Sequence, residues 1–96
     1  TARARHLILA QLPNHAYYLA RLSYILSRRG FFCSDIQTRM DLIAWALATQ
    51  QQAMRQRPAY RQGWVEVVEY ASRATGGAQA LADAQARLRD LQPPKN

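Results

Sequence analysis

What is scarce in this chain excludes more than what is abundant. There is one cysteine, Cys33, so no internal disulfide framework can form, and the redox compartment stays open. The histidines are His6 and His15 alone, and no C-x2-C, H-E-x2-H or Cys–His pairing at metal-ligand spacing occurs. Gly76 and Gly77 lack the further glycines and the lysine of a phosphate-binding loop and read as a helix stop and turn. Acidic residues are few. The pairs Asp35 with Asp41 and Glu66 with Glu69 stand among arginines and read as solvated ion-pair partners rather than as an acid and a base. Cys33, behind two phenylalanines, reads as a small packed side chain, and His15 as a surface residue. No apolar run approaches the ~20 residues that span a bilayer, and no signal-like opening is present. The first residue is Thr1 rather than Met, which leaves a removed leader or anchor open. The expectation is a chain that is not an enzyme, with no metal site and no cofactor.

What is present is helical material and arginine. Ninety-six residues make one small domain, and a hydrophobic content of 49% supplies ample core. Thirteen basic side chains against six acidic ones leave a net charge of +7, and every basic residue except Lys95 is arginine. Arginine suits bidentate pairing with carboxylate or phosphate. Apolar positions recur at helical spacing almost throughout. The punctuation predicts about five helices: a leading helix over 1–12 stopped by Pro13, one from Asn14 closed by Gly30, and a long one capped by Ser34 or Asp35 and reaching Gln56. A fourth runs from Ala59 to Thr75 after Pro58, and a fifth from Ala78 to Leu91. The expected inward stripes include Tyr18, Leu19, Leu22, Ile25 and Leu26, then Ile36, Met40, Ile43, Leu47 and Met54.

The helix pairs repeat. A shift of 46 residues lays Gly30 on Gly76, Tyr24 on Tyr70, Leu22 on Val68, Leu19 on Val65 and Tyr18 on Trp64. The pairs close on Pro13, Pro58 and Pro93, and internal repetition at such periods is a signature of stacked helical hairpins. The units are a leading helix at 1–12, a first hairpin at 13–57, a second at 58–92 and a frayed tail at 93–96.

Leu19, Leu22, Ser23 and Leu26, with Ala46 and Ala53 before Pro58, resemble the tetratricopeptide repeat, whose pattern is W-x2-L-G-x2-Y, then A-x3-F, then P. The second unit offers Trp64, Val67, Val68 and Ala71, then an alanine-rich helix and Pro93. Gln50 departs from the pattern at its aromatic site, Val68 and Ala71 depart at the small and aromatic ones, and the first unit carries about ten extra residues around "FFCSDIQTRM". The combination of "LPNHAYYLARLSYIL", "RPAYRQGWVEV" and "ARLRDLQP" further resembles helical-repeat domains of bacterial cell-envelope and exopolysaccharide-export proteins. The resemblance implies an all-α fold of antiparallel hairpins, tetratricopeptide-like in their stacking. Two hairpins fall short of the roughly three repeats such a stack requires. The leading helix, a partner, another copy or the rest of a longer chain would then cover the ends.

The resemblance also implies a groove lined by the first helix of each unit. Its contact positions here are Tyr17, Tyr24 and Ser27, then Gln62, Glu69 and Ser72. The lysine and asparagine clamp that some members use for carboxylates is replaced by Ala20, Tyr24, Val65 and Glu69. Tyrosine gives a large amphipathic contact with two torsions to freeze. Trp64 and Tyr18 are expected in the core. Candidate basic contacts are Arg28, Arg55, Arg57, Arg61 and Arg73. The function expected is a non-catalytic module that binds a protein partner through its groove or an exposed end helix, in a bacterial envelope assembly. Two alternatives stay open: a small basic domain that binds nucleic acid, and a helical chaperone or inhibitor that covers one effector protein. Oligomeric state and compartment, periplasm or cytoplasm, stay open too.

Overall fold

The computed structural model describes residues 16–91. Among them are four helices and no strand: α1, Ala16–Phe31; α2, Ile36–Gln56; α3, Arg61–Arg73; and α4, Ala78–Asp90. The leading helix expected at 1–12 and the tail at 93–96 lie outside the described residues. Each helix packs chiefly on its neighbour in sequence, α1 on α2 most extensively, then α3 on α4 and α2 on α3.

Local chemistry sets the helix ends. Asp35 caps α2 by accepting a 2.8 Å hydrogen bond from the Thr38 backbone N–H, as the sequence suggests. Hydrogen bonding from Thr38 holds its carboxyl below the ordinary carboxylate range. Arg57, forced out of the helical region ahead of Pro58, ends α2. α3 begins two residues later than expected, because the turn after Pro58 runs through Tyr60. Gly30 does not close α1; the helix passes through it to Phe31, and the glycine is buried against α2. Between α3 and α4, Gly76 adopts φ +73°, and a β-carbon on Gly77 would collide with the Ala71 carbonyl. The extra residues of the first unit do not loop out. They form the 32–35 connection and the first turn of a 21-residue α2.

The core has two buried clusters. Met54, Trp64, Val67 and Ala84 tie α2, α3 and α4 together. Leu26, Ala46 and Tyr70 tie α1, α2 and α3, and Leu47 touches both groups. Trp64 is 7% exposed, and its indole N–H donates to the Pro58 carbonyl at 2.8 Å. That bond pins the inter-helix corner to the start of α3.

Three expected core residues are outside. Tyr18 and Ile25 on α1 are about half-exposed, Ile36 at the start of α2 is exposed, and Met40 is only half-buried. The inward face of α1 keeps the expected Leu19 and Leu26 and adds Ser23, Ser27 and Gly30. Small residues there let α2 come close, facing Ala46, Thr49, Gln50 and Ala53. Burial also breaks the 46-residue equivalence, since Tyr24 is 46% exposed while Tyr70 is 3% exposed.

Candidate functional site

A half-open cleft of about 330 Å³ lies between α1, the second half of α2 and the start of α3. α1 supplies one wall through Tyr17, Arg21 and Tyr24, residues three and four apart that share one side of a helix. The opposite wall is Arg57 and Tyr60 from the corner after α2, with Glu66 from α3. Gln50, Ala53 and Met54 form the floor.

The floor is rigid because its polar groups are matched. Gln50 is buried, its Oε1 accepts from Ser23 Oγ at 2.7 Å, and its Nε2 donates to the Gly63 carbonyl at 3.2 Å. One side chain thus links α1, α2 and α3. Gly63 lets the helices approach closely there, since a β-carbon would displace the Met54 thioether. The misfit of Gln50 with the repeat pattern was the sequence signal for this tie: a polar residue at an inward position needs partners.

The walls are aromatic and cationic. The Arg57 guanidinium rests 4.6 Å from the Tyr60 ring centroid, a cation–π contact that fixes the guanidinium plane. Glu66 is the acidic member. Partial burial, then the charge of Glu69, pushes its carboxyl above the ordinary range. The Tyr70 phenol in the core is likewise pushed up, mainly by burial, against a hydrogen bond with Ser27.

The expected contact residues divide. Tyr17, Tyr24 and Arg57 meet in the cleft. Gln62, Glu69 and Ser72 are exposed on α3 but do not line it. Ser27 is corrected outright, for it is buried, and its hydroxyl donates to the Tyr24 carbonyl at 2.7 Å, so it presents nothing to a ligand. Of the basic residues, Arg28 lies 5.0 Å from the Phe32 ring centroid. Arg73 lies 4.2 Å from that of Phe31 and pairs loosely with exposed Glu69 at 3.8 Å. Arg55 borders a second recess with Asp83, Arg87 and Trp64, and Arg61 is simply exposed. Arg21, Tyr60 and Glu66 were not singled out from the sequence as cleft residues: Arg21 shares the α1 wall with Tyr17 and Tyr24, and only the folded corner brings Tyr60 and Glu66 to the same cleft.

Among the described residues no group of three His, Cys, Asp or Glu side chains is placed to hold a metal ion, and no helix is long and apolar enough to cross a membrane. No family model, curated protein or solved structure matches the chain.

Proposed function

We propose that this chain is a non-catalytic helical-repeat module that holds a protein partner at the α1 cleft. On this reading α1–α2 and α3–α4 are two tetratricopeptide-like hairpins related by 45 residues. Burial supports that offset: Leu19 and Trp64 are both buried, as are Leu26 and Ala71, while Tyr24 and Glu69 are both exposed. The observation that carries the reading is the cleft itself, with three exposed tyrosines held over a floor whose buried polar groups are hydrogen-bonded. Mechanistically the module presents a rigid surface, so little ordering cost remains when a partner arrives. An envelope assembly is the setting that the narrower resemblance implies.

The test is site-specific photocrosslinking in the host cell. A benzoyl-phenylalanine at Tyr24 should yield a discrete protein adduct that disappears with Tyr17→Ala, whereas the same probe at exposed Gln79 on α4 should yield none. Adducts equal at both positions, or an adduct removed by nuclease, would reject the reading.

A further inference from the structure

The α1 side of the cleft continues as a ladder along the helix. Tyr17, Arg21, Tyr24, Arg28 and Phe32 follow one another at intervals of four, three, four and four residues, and all five are exposed. Such spacing keeps them on one stripe. At 1.5 Å per residue, Arg21 and Arg28 stand about 10 Å apart along the axis. α1 contains no acidic residue, and the first in the whole chain is Asp35. Among the described residues none of Arg21, Arg28 and Arg57 pairs with a carboxylate. Arg28 and Arg57 are held by aromatic rings instead, which orients a guanidinium while leaving its N–H edges available for bidentate pairing.

Accepting the partner-binding reading above, we infer that the occupant of this cleft is an acidic peptide segment with an aromatic anchor. Its carboxylates pair with Arg21, Arg28 and Arg57, and its anchor lies among Tyr17, Tyr24 and Tyr60. Two carboxylates about 10 Å apart are two turns of helix or three residues of strand, so the partner's acids fall seven or three residues apart. Glu66 repels a carboxylate brought beside it, so the partner's acids sit chiefly against Arg21 and Arg28 on α1. The same carboxyl disfavours a phosphate backbone threaded through the cleft. The net charge of +7 adds a long-range pull on an acidic segment that salt weakens.

The test titrates the full chain, by fluorescence anisotropy, with a labelled random copolymer of glutamate and tyrosine, with polyglutamate and with a thymidine oligonucleotide. The copolymer should bind tighter than polyglutamate. Arg21→Gln with Arg28→Gln should weaken it roughly tenfold per arginine, the worth of a charge-assisted hydrogen bond, while Arg89→Gln on α4 should not. Arg21→Glu with Arg28→Glu should instead gain affinity for a lysine–tyrosine copolymer. Equal binding of the copolymer by the double Gln variant overturns the inference, as does tighter binding of the oligonucleotide. A crosslinked protein from Tyr24 whose contacting segment lacks acidic residues overturns it as well, yet leaves the module reading in place.

Discussion

Ser23 Oγ donates to Gln50 Oε1 across 2.7 Å with both side chains buried, and the same hydroxyl lies 2.8 Å from the Ala20 carbonyl. One proton therefore chooses between two acceptors. If Ser23 is changed to Ala, Gln50 Oε1 is left without its donor. If Gln50 becomes Leu, the serine falls back on Ala20, while the Gly63 carbonyl loses a donor. Each variant should lose roughly 1–3 kcal/mol. The double variant should lose less than the sum, because the two residues share one bond. Urea unfolding of the four proteins measures this; strictly additive losses would mean that the bond does not tie α1 to α2.

Trp64 is the largest anchor of the cluster that ties α2, α3 and α4. Trp64→Ala should destabilise by about 3–5 kcal/mol, as truncation of a buried aromatic does. Trp64→Phe should cost less, chiefly the hydrogen bond to Pro58, roughly 1 kcal/mol. Thermal melts followed by circular dichroism distinguish the two, and an unchanged midpoint for the alanine variant would contradict the packing.

The two glycines of the α3–α4 turn should differ. Gly76→Ala meets open space and incurs only the left-handed backbone cost of about 1–2 kcal/mol. Gly77→Ala drives a β-carbon into the backbone of Ala71, which cannot swing aside as a side chain would. Gly77→Ala should therefore lower the melting temperature further, although Gly76 is the one with positive φ. The reverse order would show that the turn relaxes freely.

Glu66 and Asp35 should pull stability in opposite directions with pH. Glu66 has a raised folded-state pKa, so the native state holds the proton more tightly, and stability falls as pH rises from 4.5 through the raised value. Asp35 has a lowered one, so its contribution is present above 3.8 and lost as pH falls below that. Glu66→Gln should raise the melting temperature at neutral pH, with the gain shrinking toward pH 4.5. A gain that grows on acidification would reverse the assignment.

Tyr24 is exposed and its ring supports nothing beneath it in the core clusters. Tyr24→Ala should keep stability within about 0.5 kcal/mol, as surface changes do, while reducing crosslinking from a probe at Tyr60. A large drop in melting temperature would make that tyrosine structural.

Much of the site was half-legible. Tyr17 and Tyr24 could be named from what the repeat resemblance implies, and Arg57 from its place at the proline corner. Arg21 sits on the same stripe, but a stripe does not announce which wall will face it. Tyr60 and Glu66 come from beyond the Pro58 turn, and their approach to α1 depends on how closely α2 and α3 pack. Ser27 fell on the expected groove side by position, yet the closeness of α2 covers it. Tyr18 and Ile25 looked like core because they are apolar at helical spacing; α1, however, has large apolar residues on more than one side.

By itself the sequence determined most of the helix breaks: a cap at Ser34 or Asp35, the stop ahead of Pro58 and the Gly76–Gly77 turn. These follow from backbone hydrogen bonds and caps that each span only a few residues. The tertiary structure decided how far the inward side of α1 turns beyond Leu19 and Leu26. It chose the side with Ser23, Ser27 and Gly30, because small groups there let Gln50 reach across to both neighbouring helices. That choice left Tyr17, Arg21 and Tyr24 outside, facing the cleft.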